Sequence, residues 1–400
     1  MNTGKLDSTL TTLLSYGLCL FVVSYYVYPL DSSPKATFYA FVAFPVLLYG
    51  IYKLAELKIQ AAFRLDTYSY LTMGLVLIIL YIWLSYLWGT PGDYQPFVRQ
   101  GKRAAEMFAL LFAIGVTAHK RAFLIRPLFT AMFVIAVTHA CILMPEGISK
   151  YGNSLDFRLM NPIDTGMVYG VALVIGMWRF LSEEPKVSLL YLAACLPLVV
   201  ILFITKSRGP QLALVITALP IIFMHRKNWR RIIPVALAAI VLAVVLAIWT
   251  DVFQRIFSRG FDLSYRDQLW AVSIAQFLEY PIFGSGARLD MPIPIGDGFI
   301  HTHSHNLLLD VLRATGLVGF FLVATHNLIA FGRGAVSRDG DVNLWAMVFL
   351  FGFLCLMTNG GIPFTRPAHS WIAYWIPLGF VCFLLSSRHS HMCSAPNRLT

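Results

Sequence analysis

Charge is scarce in this chain. Of its 400 residues only 13% are Asp, Glu, Lys or Arg, where a soluble globular protein carries about 25%, and the mean hydropathy is +0.69. That shortage excludes an ordinary water-soluble globule and leaves an all-α polytopic membrane protein. Cysteine is scarce too: Cys19, Cys141, Cys195, Cys355 and Cys382 fall within apolar runs and Cys393 near the C-terminus, with no C-x-x-C. The pattern excludes a thiolate metal site or a disulfide framework, and the cysteines read as small buried apolar residues. No basic stripe interleaved with exposed aromatics is present, so the net charge of +11 is no nucleic-acid footprint, and no nucleic-acid partner is expected. No A-x-A cleavage site follows the first apolar run, which is therefore expected to stay as a helix rather than leave as a signal peptide.

What the chain has instead is apolar sequence, 58% of it, arranged in windows of about 17–23 residues that each suit a helix crossing a ~30 Å hydrocarbon core. Twelve such windows are expected, at about 10–28, 36–52, 68–88, 104–118, 122–143, 163–180, 187–204, 210–225, 232–250, 306–331, 342–360 and 369–387, making residues 1–400 a single integral membrane domain. The +11 charge finds its place between them. Lys53, Lys58 and Arg64; Lys120, Arg121 and Arg126; Arg226, Lys227, Arg230 and Arg231; and Arg333 and Arg338 occupy alternate short loops. By the positive-inside rule these are cytoplasmic, and both termini with them.

The opposite, outer side then receives TKSRGP at 205–210, the loop NGGIPFTRPAHS and one long loop, 251–305. In a membrane protein a loop of that length is usually functional. Within it, SYRDQLWAVSIAQFLEYP reads as an amphipathic helix capped by Ser264 with Asp267 completing a capping box, its apolar stripe formed by Trp270, Ile274, Phe277 and Leu278. The Gly/Pro-rich stretch after it, carrying Arg288, is expected to be irregular. Arg158 and Arg366 also fall outside, with nothing specific around them.

The segment HTHSHN places His301, His303 and His305 on alternate positions, which in an extended chain share one side. His305 then precedes a span on which Gly316 and Gly319 allow close packing against a neighbour. The span beginning near Ser207, Arg208 and Pro210 runs inward, with Ser207 as N-cap and Pro210 in the first turn, so its positive end faces outward. Arg208, Arg266 and Arg288 beside two helix N-termini make a candidate site for a phosphate or diphosphate. Each feature also has a plain structural reading: a lipid-paired arginine, a satisfied interfacial histidine, a surface-anchored helix. Three imidazoles on one face are a zinc pattern as well, but no acidic or thiol fourth ligand stands at standard spacing. Their coincidence on one side favours a site.

At His305-Asn306, nine residues, Gly316, two residues and Gly319, the chain resembles the H[NSQ]-x9-G-x2-[GTY] signature of the O-antigen ligase and polymerase superfamily. Ser207-Arg208-Gly209 resembles that family's outer-mouth arginine motif. Arg266 with Trp270, and Pro281-Ile282-Phe283-Gly284-Ser285-Gly286, resemble its R-x3-W and P-x2-G-x-G stretches. Size and overall layout are most similar to the lipopolysaccharide O-antigen ligases, the pseudomonad type in particular. The resemblance implies a GT-C-like enzyme of the bacterial inner membrane with its site facing the periplasm. It implies transfer of O-antigen from undecaprenyl diphosphate to a sugar hydroxyl of lipid A-core, inverting, with no metal or cofactor. His305 is the implied catalytic base with His303 beside it, and Arg208 with Arg266 or Arg288 the diphosphate ligands; a loop shorter than in many ligases leaves the choice between the last two open. Motifs alone do not separate a ligase from an O-antigen polymerase or a protein O-oligosaccharyltransferase. A non-enzymatic transporter of lipid-linked sugars is expected to show charges along the middle of several spans, and the sequence has few.

Overall fold

The computed structural model describes residues 3–27, 34–55, 69–89, 92–149, 161–249, 265–288, 292–295 and 300–393. Each of the twelve expected apolar runs falls on a helix. In order these are α1 (Thr3–Ser24), α2 (Lys35–Phe38) continuing through a π-turn into α3 (Phe44–Ala55), α4 (Ser69–Gly89), α5 (Gln95–Lys120), α6 (Ile125–Ser149), α7 (Pro162–Ser182), α8 (Pro185–Ile204), α9 (Arg208–Met224) and α10 (Trp229–Trp249). After the short α11 (Arg266–Glu279) come α12 (Leu307–Ala335), α13 (Gly340–Asn359), and α14 (Ser370–Ala373) with α15 (Trp375–Cys393). The strand content of the described residues is one two-residue antiparallel pair, β1 (Ile293–Pro294) with β2 (Ile300–His301).

Among the described residues nine helices are long and apolar enough to cross a membrane, or ten if α9 and the bent segment after it form one span, against the twelve expected. The difference has physical causes. α5 is helical throughout, but its first half carries Arg99, Lys102, Arg103 and Glu106, and much of the helix is buried against protein. α9 has 17 residues, about 26 Å at 1.5 Å per residue, and the chain turns by 90° between Arg208–Met224 and Arg226–Pro234.

The centre of the bundle is α7, α13 and α15. Almost every residue of α7 from Thr165 to Ile175 is buried, because glycines admit its neighbours: a Cβ at Gly170 would lie 2.1 Å from the Phe351 ring, and one at Gly166 2.9 Å from Pro210. Trp345 of α13 stacks on Phe380 of α15 at 4.6 Å and meets Phe129 of α6 at 4.6 Å. Outward-facing Leu189, Leu190, Leu212, Val215, Leu219 and Leu328 are exposed, the arrangement expected where lipid rather than water is the neighbour.

Ion pairs mark one end of the bundle. Asp7 accepts from Lys53 and from Lys120, the latter at 2.9 Å, Arg126 pairs with Asp341 at 3.2 Å, and Arg231 donates to the Glu183 carbonyl at 2.8 Å. Several of the basic loops identified in the sequence therefore gather at that end. Asp341 and Asn359 stand 18 residues apart on α13, about 27 Å at 1.5 Å per residue, and Asn359 belongs to the opposite end, where the histidines lie.

Candidate functional site

The site is built around the start of α12. Asn306 is its N-cap, the side-chain oxygen accepting from Leu309 N at 3.1 Å. The three histidines come together, but not by strand alternation. Extended pairing stops at His301, and His305 takes a left-handed conformation with φ 56°, turning its ring back so that the His303 and His305 centroids lie 4.2 Å apart and those of His301 and His305 6.3 Å.

A buried network that the sequence reading missed holds this turn. Asp310 and Arg313, both 1% exposed, pair at 2.8 Å on the first turns of α12. Asp310 also accepts from Ser304 N at 2.9 Å. Arg313 donates to the Thr302 carbonyl at 2.8 Å and to Gln276 Oε1 of α11 at 3.0 Å. Each charge thus has an opposite partner and further hydrogen bonds, which a buried pair requires. Trp270 of α11 donates from its indole N–H to the Ser304 carbonyl at 3.0 Å. Arg266, four residues before Trp270, lies on the same face, so anchoring the tryptophan aims the arginine at the histidine turn.

α11 begins at Arg266 with Tyr265 as N-cap in a left-handed conformation (φ 62°) and no side-chain cap; the expected cap, Ser264, lies outside the described residues. Its apolar stripe divides. Leu269 and Ser273 are buried and Trp270 and Phe277 half-buried, while Ile274 and Leu278 point outward with Ile282 and Phe283.

Gly316 departs from its expected role. It adopts φ 64°, ψ −165° and breaks α12, a conformation essentially reserved for glycine. Into the break fits Pro281–Gly286: Ser285 N and Gly286 N donate to the carbonyls of Arg313 and Ala314 at 3.2 and 2.9 Å. Leu317 N and Val318 N donate to those of Pro281 and Ile282 at 2.8 and 3.2 Å. The backbone groups freed by the break are thus satisfied within the protein, as buried backbone groups must be. A Cβ at Gly316 would lie 2.3 Å from the Ile282 carbonyl oxygen, and one at Gly286 2.3 Å from Gly89. Gly319 lies beside Tyr81 of α4, where a Cβ would come within 2.9 Å of the ring.

Arg208 stands exposed at the start of α9. Ser207 is the N-cap by position but makes no capping bond. Gly209 is packed on Thr358, where a Cβ would come within 2.3 Å of the hydroxyl, which brings the N-terminus of α9 to the end of α13. Burial, and after it the positive charge of Arg208, lower the pKa of the Arg266 guanidinium. Arg266 in turn acts on His305. Arg288 is different: it is exposed and lies beside Gly89 at the end of α4.

His305 Nδ1 lies 2.8 Å from Asn359 Oδ1, the last residue of α13. Since an amide oxygen can only accept, Nδ1 carries the proton and Nε2 the free lone pair. The His305 pKa is held below its ordinary value, chiefly by burial; the Asn359 bond opposes that, and the charge of Arg266 reinforces it. His303 is lowered by burial first and by His305 next, and its Nδ1 is buried with no hydrogen-bond partner among the described residues. Both rings are therefore neutral near pH 7. Among the described residues no three His, Cys, Asp or Glu side chains converge as a metal site.

Both rings line a cavity of about 330 Å³ that also reaches Asp164 at the start of α7, Asn359, Thr365, His369 and Ser370. Asn359, Asp164 and His369 were not identified from the sequence. Their signals were an Asn-Gly-Gly turn after a span, an acidic residue in the first turn of a helix, and a histidine in an outer loop, and each has a bland explanation where it stands.

The fold and site define a multi-pass membrane protein with neutral imidazoles and clustered arginines at the end opposite its basic loops. Residues 193–324 match the family described as O-antigen ligase. Over 356 residues, 86% of this chain and 83% of the relative, the sequence is 27% identical to an O-antigen ligase of Pseudomonas aeruginosa. The chain thus resembles O-antigen ligases over most of its length, and the family match spans the elements that carry Arg208, Arg266, His303, His305, Gly316 and Gly319.

Proposed function

We propose that the protein is a lipopolysaccharide O-antigen ligase of the inner membrane, with its site on the periplasmic side. It transfers O-antigen from undecaprenyl diphosphate to a sugar hydroxyl of lipid A-core. One observation carries this reading: His305, its tautomer set by Asn359, lies within the field of Arg266, which itself faces Arg208.

The chemistry needs a base and a cationic cradle. His305 Nε2 takes the proton of the acceptor hydroxyl as its oxygen bonds to the anomeric carbon. The bond from that carbon to the diphosphate oxygen breaks, and its electron pair leaves with undecaprenyl diphosphate, inverting the centre. Arg208 and Arg266 stabilise the departing charge at the N-terminus of α9. His303 orients the acceptor or shares the proton. Arg288, beside Gly89, is given no part in this step, and Arg266 takes the place of second diphosphate ligand. Asn306, Gly316 and Gly319 hold the frame. The basic loops and both termini are cytoplasmic in this reading, the outward Ile274, Leu278, Ile282 and Phe283 rest at the membrane interface, and α5, α9 and α10 count as crossings beside the nine, giving twelve.

The test is reconstitution with undecaprenyl-diphosphate-linked O-antigen and lipid A-core in the presence of chelator. A glycan ladder on core that survives chelation and falls about 10²–10⁴-fold in His305→Ala is expected. Growth of glycan on the lipid carrier, with core untouched, identifies a polymerase instead. A folded His305→Ala protein with full activity removes the histidine from the mechanism.

A further inference from the structure

We propose that the cavity beside His305 is the acceptor subsite, and that it binds the acceptor as an uncharged sugar ring rather than the diphosphate or the donor glycan. The inference rests on the reading of the protein as a glycosyltransferase and adds to it the place and chemistry of the second substrate.

Charge is the first argument. The described lining contains no arginine or lysine; Arg208 and Arg266 are not part of it. Its one carboxyl, Asp164, makes no hydrogen bond or ion pair among the described residues. A cavity whose described lining holds a carboxyl and no cation disfavours a diphosphate. It suits hydroxyl groups, which donate to a carboxylate and exchange hydrogen bonds with Asn161, Thr365, His369 and Ser370.

Geometry is the second. In an inverting displacement the incoming hydroxyl and the leaving diphosphate lie on opposite faces of one carbon. With the diphosphate on the arginines, the base and the acceptor belong away from them. His305 lines the cavity and feels the charge of Arg266 as well, so it borders both regions. His303, whose buried Nδ1 has no hydrogen-bond partner among the described residues, is also a lining residue.

Size and surface are the third. A volume of about 330 Å³ is at the small end of ligand pockets and matches a saccharide unit rather than a polyprenyl diphosphate. The indole N–H of Trp375 is committed to the Pro363 carbonyl at 2.7 Å and its ring is buried, so the surface the cavity offers is chiefly polar, from Asn161, Asp164, Asn359, Thr365 and Ser370.

The test is a two-substrate kinetic analysis of Asp164→Asn, Ser370→Ala and Thr365→Val with donor and lipid A-core varied separately. Asp164→Asn is expected to raise KM for lipid A-core about 10-fold or more, the loss typical of a hydrogen bond to a charged group, with the donor KM within about twofold. The two hydroxyl variants shift it less and in the same direction. Binding of deacylated core oligosaccharide, which needs neither donor nor transfer, should weaken by the same factor in Asp164→Asn. A rise confined to the donor KM assigns the cavity to the donor glycan and overturns the proposal, as does an unchanged KM for both substrates. Should the wild type elongate lipid-linked glycan and ignore core, the ligase reading fails on that result alone. The same KM split against the lipid-linked acceptor then decides the cavity.

Discussion

The most informative single residue is Asn359, because it converts an imidazole into a directed base. Its oxygen holds the proton on His305 Nδ1 at 2.8 Å, so the lone pair is at Nε2. With the His305 pKa below its ordinary 6.5, the active neutral form persists at pH 7, and turnover should decline only as pH falls below about 6.5. Replacing Asn359 by Asp puts a negative charge where the amide stood, which favours the imidazolium and raises its pKa. The acid limb of kcat/KM should move to higher pH accordingly, while Asn359→Leu should lower kcat without that upward displacement. A pH profile identical in wild type and Asn359→Asp refutes the contact as a determinant of the base. Of these residues His305 could be recognised in the sequence from its motif. Asn359 could not, since it stands 54 positions away and nothing local to it specifies a partner.

At the scale of elements, the motifs divide the work of building one turn. The P-x2-G-x-G loop is the filling for the break at Gly316, and R-x3-W is an anchor plus an aimed cation. Two stability predictions follow from the packing. Gly316→Ala must adopt a backbone conformation that costs about 1–3 kcal/mol and brings a Cβ 2.3 Å from a carbonyl oxygen, so the melting temperature of the detergent-solubilised protein should fall measurably. Arg313→Met removes one partner of a pair that is 1% exposed on each side and strands Asp310. A loss of about 3–5 kcal/mol is expected, and Asp310→Asn in the same chain should recover part of it. A double variant no more stable than Arg313→Met would place the cost elsewhere than in the stranded carboxylate. The sequence indicated two glycines and a close approach; that one of them breaks the helix depends on the loop that fills the gap.

At the scale of the whole molecule, charge has been sorted to two ends. Asp7, Lys53, Lys120, Arg126 and Asp341 pair at one, and the histidines with Arg208 and Arg266 gather at the other. The proposed orientation predicts a labelling pattern in a cysteine-free background. Tyr280→Cys, at an exposed position beyond α11, should react with a membrane-impermeant maleimide applied from the periplasm. Lys227→Cys, in the turn before α10, should react only after the membrane is opened. The reverse pattern inverts the topology and with it the periplasmic assignment of the site.

The sequence by itself determined that this is a multi-pass helical membrane protein, where its helices lie, and which loops carry the basic residues. These are properties of composition and local periodicity, each readable within about 20 residues. It also marked His305, Arg208 and Arg266, because their motifs are short and contiguous. Only the tertiary structure decided how they meet: the left-handed turn at His305, the bond to Asn359, the Asp310–Arg313 pair reaching Gln276, and the loop inserted at Gly316. It decided as well that Arg288 lies beside Gly89. Each of these depends on which distant segment fills the space next to a residue, and packing of that kind leaves no mark in the local order of the chain.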